Sequence, residues 1–226
     1  MVVMMFRFVA TATAVLGVAT VALAQDPTQT LPDSYKVELD NAYVRVVRVH
    51  YDAGAKLAEH THPGGTTLYV YLNDSEGVVF THTGNNNRAV TRPAVKGGAI
   101  RIAAGPDEHH TVENTSPTAT DFLRVWFKTD NAGVDNLRQR LAPTDVEFAN
   151  KQMHVTRLRV KPGQTLGIET RKNPALRIAI REGVKQWTTP PADFVRWLDK
   201  GTTEDFAVTG DFPVDIIKIE FLSKPK

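Results

Sequence analysis

The sequence predicts an all-β chain: two tandem β domains, each a sandwich or barrel, with few helices. Three observations predict it. Short segments rich in Val, Ile, Thr and aromatic residues alternate with turn clusters of Gly, Pro and Asn; a stretch of strands recurs later in the chain; and helical periodicity is scarce. Residues 44–51, 68–72, 77–82, 88–91, 99–103, 111–114 and 122–127 read as strands. The turns between them are Asp52-Ala53-Gly54, Pro63-Gly64-Gly65, Asn73-Asp74-Ser75, Gly84-Asn85-Asn86-Asn87, Gly97-Gly98 and Gly105-Pro106-Asp107. Residues 134–141 are the single helical candidate, and they fall where a linker is needed.

The recurrence sets the domain organisation. Residues 44–57 lie over 153–166, and without a gap Leu68-Tyr69-Val70-Tyr71-Leu72 falls on Arg177-Ile178-Ala179-Ile180-Arg181. Near the ends, 122–127 answers 216–221. A match that keeps an arginine, a turn glycine and a closing strand in order points to duplication. The expected organisation is a first barrel over 25–130, a linker over 131–145 and a second barrel over 146–226.

Residues 1–24 read as a secretory signal peptide. Arg7 precedes an almost purely apolar run, and Ala22-Leu23-Ala24 supplies small residues for cleavage after Ala24. The run is too short and too soon followed by a cleavage site to favour a membrane anchor, so the mature chain is expected to be secreted or periplasmic and free of the membrane. About 200 residues then remain, enough for one large or two small domains. Cysteine is absent, which removes disulfides, thiolate metal sites and cysteine nucleophiles. With 27 basic and 25 acidic side chains and no basic patch interleaved with aromatics, nucleic acid is not expected as a partner. A small-molecule substrate or ligand is expected, and pairing into a homodimer is open.

The chemistry concentrates in His60-Thr61-His62. On a strand, positions two apart share a face, so both imidazoles aim at one point. His110 supplies a third imidazole from another segment, enough for one face of a divalent ion. His109 is the alternative third member if the loop before it is one residue off. Glu108 shares parity with His110 and can lean inwards as a base or fourth ligand, whereas Glu59 should face away. His82, before an Asn-rich turn, reads as a surface residue. Tyr69 and Tyr71 share a strand face and line a pocket or fill the core. Asn114 reads as a strand-end residue bonding to backbone.

Gly54, five residues, then His60-Thr61-His62 resembles the first cupin motif, and Gly98 to Asn114 resembles the second, where His110-Thr111-Val112-Glu113-Asn114 fits H-x3-N with one extra residue in the preceding loop. The resemblance covers essentially the whole mature chain as a bicupin whose second domain is degenerate: Glu169 and Arg171 stand at the positions of His60 and His62, and roughly Asp205 opposite His110. Resemblance to cupins implies two tandem antiparallel β-barrels of the jelly-roll type, with a metal held in the barrel through three histidines and a glutamate. His60, His62 and His110 match; the glutamate does not, because Thr66 and Thr67 stand where it is expected. These threonines are candidates to hydrogen-bond a metal-bound water. A centre of neutral imidazoles keeps its full charge, so it is a stronger Lewis acid, more open and more weakly held.

No catalytic residue is identified. The expectation is one divalent transition metal, iron before manganese or zinc, and a dioxygenase-like activity on a small organic molecule. The alternatives are a non-catalytic ligand-binding or structural protein and a zinc or manganese lyase or isomerase.

Overall fold

The structure, a computed structural model, describes residues 26–83, 88–128, 139–141, 148–149, 151–181, 194–207 and 211–225. The leader over 1–24 and the turn at 84–87 lie outside the described residues. After one helical turn, α1 (Pro27–Thr30), capped by the Asp26 carboxylate on the Thr28 N–H, the chain is strands and turns.

β1 (Tyr35–Asp40), β2 (Val44–Tyr51), β3 (Lys56–His62), β4 (Gly65–Tyr71), β5 (Val78–His82), β6 (Arg88–Thr91), β7 (Ile100–Gly105), β8 (Glu108–Asn114), β9 (Thr120–Phe127) and β10 (Gln139–Leu141) form two antiparallel sheets. One has the order β1-β2-β9-β4-β7-β10, the other β3-β8-β5-β6. β11 (Phe148–Ala149), β12 (Met153–Val160), β13 (Thr165–Thr170), β14 (Ala175–Arg181), β15 (Val195–Leu198), β16 (Thr203–Ala207) and β17 (Val214–Phe221) repeat the scheme as β11-β12-β17-β14-β15 and β13-β16. The expected all-β, jelly-roll architecture is the observed one.

The six-stranded sheet is buried on both faces, which explains why β4 and β9 read as nearly continuous apolar runs. One face, with Val46, Leu68, Val70, Leu123 and Val125, packs on Val155, Leu176, Ile178, Ile217 and Ile219 of the five-stranded sheet in a single core. Tyr43, Trp197 and Phe221 close one side of this core, with Tyr43 ring centroids 5.1 Å from Trp197 and 5.4 Å from Phe221. The other face, with Val47, Val49, Tyr69, Tyr71 and Phe122, packs on Leu57, Val78, Phe80 and Val112 of the four-stranded sheet. This second layer is the barrel interior, and the three histidines open into it. Arg157 of β12 ties the layers together: its guanidinium donates to Asp215 of β17 at 3.0 Å and to the Gly98 carbonyl of the β4-side turn.

Three expectations are corrected. Of the helical candidate 134–141, residues 139–141 form a strand against β7, with Arg140 opposite Arg101; residues 134–138 lie outside the described residues. A free sheet edge outweighs the helical pattern of so short a segment. β1 is unanticipated because charged Lys36, Glu38 and Asp40 alternate through it, as suits an edge strand with one wet face. The repeat holds, but with a gap of one residue. Leu68 pairs with Val125, and Leu176 pairs with Ile219, so Leu68 corresponds to Leu176 and not to Arg177. Before that gap the register is shared down to the irregularity: β3 shifts against β8 between Leu57 and His60, and β13 shifts against β16 between Leu166 and Glu169. Glu169 therefore stands where His60 does, and Glu204, not Asp205, stands opposite it.

Asn114, fully buried, fixes the site-bearing strands. Its side-chain N–H groups donate to the carbonyls of Tyr51 (3.1 Å), Asp52 (2.9 Å) and Thr118 (3.0 Å), while its oxygen accepts from Ser116 N–H. The β2–β3 turn it holds contains Gly54, whose φ of 73° disfavours any side chain. Asn114→Ala leaves the buried Tyr51 carbonyl and the part-buried carbonyls of Asp52 and Thr118 without this donor, and we expect a loss of roughly 1–3 kcal/mol in denaturant unfolding.

Candidate metal centre

His60 and His62 leave β3 on one face, and His110 of β8 is the direct cross-strand partner of His60. Their candidate ligand nitrogens all lie within 4.8 Å of one another. Ring centroids are 4.7 Å apart for His60 and His110, 5.0 Å for His60 and His62, and 5.2 Å for His62 and His110. All three are buried, at 0%, 6% and 2% exposure respectively.

Loop contacts at the open ends of β3 and β8 hold this geometry. Gly64 N–H donates to the Asp107 carboxylate at 2.6 Å, and a Cβ on Gly64 would meet the Pro106 carbonyl carbon at 2.6 Å. Only glycine lets these two backbones approach so closely. Arg124 and Trp126 of β9 complete the clamp, the first donating to Pro63 O at 3.3 Å and the second to Gly64 O at 2.7 Å.

The hydrogen bonds decide the tautomer of His60. Its Nδ1 lies 2.8 Å from Ala58 O, a pure acceptor, so Nδ1 carries the proton and Nε2 offers a lone pair. The Tyr35 hydroxyl, 2.7 Å from Nε2, must then donate to it, and Tyr51 donates in turn to Tyr35 at 2.8 Å. An imidazole whose far N–H is fixed by a backbone carbonyl is the arrangement that orients a metal ligand. His110 differs: among the described residues neither ring nitrogen has a hydrogen-bond partner. A buried imidazole with no partner for either nitrogen is costly in a folded protein, and a metal on one of them removes part of that cost. The donor set therefore fits a divalent transition ion.

Electrostatics keep the three rings neutral, the form that binds metal. Burial lowers the His110 pKa to about 2, helped by the charges of its neighbours His60, His82 and Arg124. Burial, then Arg124, likewise holds His62 well below the usual range. His60 is lowered more mildly, because burial is opposed by its bond to Ala58.

The remaining sequence candidates separate cleanly. His109 is not in the cluster: it lies on the outer, exposed face of β8, with Nδ1 3.1 Å from Thr61 Oγ1. Glu108, opposite His62 in register, lines the pocket beside the histidines. Thr67 alternates with Tyr69 towards the barrel interior, while Thr66 alternates with Leu68 towards the opposite core; both are buried and neither lines the pocket. Glu59 faces out and accepts from Thr83. Tyr69 and Tyr71 line the pocket. His82 is corrected from a surface residue: it is half-buried, pairs with His110 across the strands, and sets its ring 5.6 Å from that of His110. Its parity with buried Phe80 and Val78 already carried that signal.

Sequence reasoning missed Tyr35, which sits on the unanticipated β1. It also missed Arg92, Arg101 and Arg124, which line the same pocket. An arginine between Phe122 and Trp126, in a strand otherwise apolar on both faces, was the available signal for Arg124.

No protein-family model matches the chain, and no curated protein matches it in sequence. Solved structures do share its fold over most of its length. Vicilin from Solanum lycopersicum (tomato) superposes with a TM-score of 0.52 at 10% identity, over 80% of this chain and 75% of that one. The putative glyoxylate induced protein from Pseudomonas aeruginosa gives 0.51 at 14%, over 83% and 79%. AerE from Microcystis aeruginosa gives 0.50 at 11%, over 84% and 98%. At such identities the likeness is one of fold. The chain therefore shares the double-sheet β-barrel fold of these proteins, with the buried triad of His60, His62 and His110 in its interior.

Proposed function

We propose that the chain is an exported metal-binding protein that acts as an oxygenase on a small organic molecule. His60, His62 and His110 hold one divalent transition metal, iron before manganese or zinc. The observation that carries the metal is the His110 ring, buried in a cluster of neutral imidazoles with both nitrogens unpartnered among the described residues. Three nitrogen donors on one face leave positions for a chelating substrate and dioxygen, and a bound iron supplies the redox capacity that dioxygen chemistry requires. Thr66 and Thr67 stand where the cupin motif has its glutamate, so β4 supplies no carboxylate ligand there. The chain's own residues exclude water through the aromatic walls of the pocket, fix His60 through Ala58, and place the Glu108 carboxyl at the pocket wall to take or give a proton. Residues 1–24 support export. The shared register of β3–β8 and β13–β16 supports a duplication, with barrels over 25–130 and 146–226.

A second reading, binding of a small ligand without turnover, is favoured by one contact: the Tyr35 hydroxyl already occupies the lone pair of His60 Nε2. Metal analysis and oxygen uptake separate the two readings. Protein isolated from its own compartment should hold about one transition metal per chain, and His110→Ala, checked for folding by circular dichroism, should lose it. Equal metal in both proteins, or none in either, would overturn the metal reading. Thermal stabilisation by diols, enols, thiols or sugar acids with no oxygen consumption would leave the binding reading in place.

Tyr35→Phe removes the competitor for His60 Nε2 while keeping the buried ring. Because one neutral hydrogen bond contributes roughly 0.5–1.5 kcal/mol, we expect metal affinity to rise about two- to tenfold. Competition against a chelating dye measures it.

A further inference from the structure

The barrel pocket gathers three guanidinium groups, Arg92, Arg101 and Arg124, against a single carboxylate in its lining, Glu108. Across the inner face of the six-stranded sheet, Tyr69 of β4 is flanked in register by Arg101 of β7 and Arg124 of β9. The Arg101 guanidinium lies 3.8 Å from the centroid of the Tyr69 ring, a close cation–π contact. Arg92 lies over Phe80 at 4.9 Å. Arg124 is 6% exposed; one terminal nitrogen donates to Pro63 O, and its Nε has no partner. Arg101 Nε, also buried, has none either. Among the described residues no carboxylate forms an ion pair with any of the three, and Glu108 is the one carboxylate among the residues lining the pocket.

Buried guanidinium groups without a counterion carry a desolvation cost that the fold recovers only when an anion arrives. Aromatic faces hold Arg101 and Arg92, and Arg101 also bonds the Tyr71 side chain; a guanidinium edge matches a carboxylate with two parallel N–H···O bonds. His62 and His110 line the same space. We infer that the pocket binds a small organic carboxylate with a planar, apolar body: its carboxylate meets the edges of Arg101 and Arg124, its body lies between Tyr69 and Phe80, and its far end reaches the histidines. This assignment names the substrate class of the centre proposed above and rests on that reading for the role of the histidines. The arginine pocket itself needs no metal to bind an anion.

The test compares benzoate, phenylacetate and cinnamate with their neutral amides by isothermal titration and thermal shift. It uses the full mature chain both with its metal and after chelation, and metal content is measured on the same samples. At least one carboxylate should bind and stabilise at millimolar concentration, with its amide weaker. Arg101→Gln should lose roughly ten- to a hundredfold in that affinity while keeping its metal. Arg101→Lys, which keeps the charge but not the fork, should recover part of the loss and guards against a merely misfolded variant. Acids and amides binding alike, no acid stabilising the protein, or Arg101→Gln binding as tightly as wild type would each overturn the inference. A metal-bearing protein indifferent to carboxylates leaves the metal reading standing and removes this one. A metal-free protein that still prefers carboxylates does the reverse.

Discussion

The site depends on the register between β3 and β8. A slip of one residue between these strands would either turn His60 and His62 outwards or bring His109 in where His110 stands. Here the pair is pinned at both ends by contacts to backbone. At one end Asn114 gathers the carbonyls of Tyr51, Asp52 and Thr118. At the other, Gly64 presses against Pro106 and Asp107 so closely that no side chain fits. Between these pins an irregularity after Leu57 absorbs the mismatch and sets His60 directly across from His110. The same irregularity survives between β13 and β16, where the residues brought face to face are Glu169 and Glu204. Both strand pairs have this geometry, and the imidazoles stand in one of them.

Charge gives that geometry its chemistry. Burial and the nearby Arg124 guanidinium hold the histidines neutral, so they meet a cation as lone pairs without first releasing protons. The same arginine is one of three that make the pocket above them attractive to anions. A cation on the imidazoles and an anion against the guanidinium groups would each lower the cost of burying the other's partners. Tyr51 and Tyr35 run as a relay of hydrogen bonds into His60, an arrangement that fixes its ring and competes for its lone pair.

Much of this was legible in the residues, for physical reasons that can be named. Alternation and turn chemistry gave the strands of the first half, because a sheet with one packed face imposes period two. The spacing of Gly54, His60, His62, His110 and Asn114 gave the triad, because a positive-φ turn, a strand face and a buried amide each tolerate few residue types. What stayed hidden depends on three-dimensional neighbours. Tyr35 lies 25 residues before His60 on an edge strand whose wet face masks its pattern. Arg101 and Arg124 look like ordinary strand residues until the register puts them on either side of Tyr69. The one-residue gap in the repeat falls in the turn between β13 and β14, where no side-chain pattern marks it. Residues 139–141 became a strand because the β7 edge was free to take them.

The central claim is that three imidazoles converge on one ion. X-ray absorption at the metal edge of the iron- or zinc-loaded protein tests it most directly. The account predicts a first shell containing three imidazole nitrogens at roughly 2.0–2.2 Å, with the outer-shell scattering of the rings, and a shell that drops to two imidazoles in His110→Ala. A shell of oxygen donors alone, or one unchanged by that substitution, would contradict it.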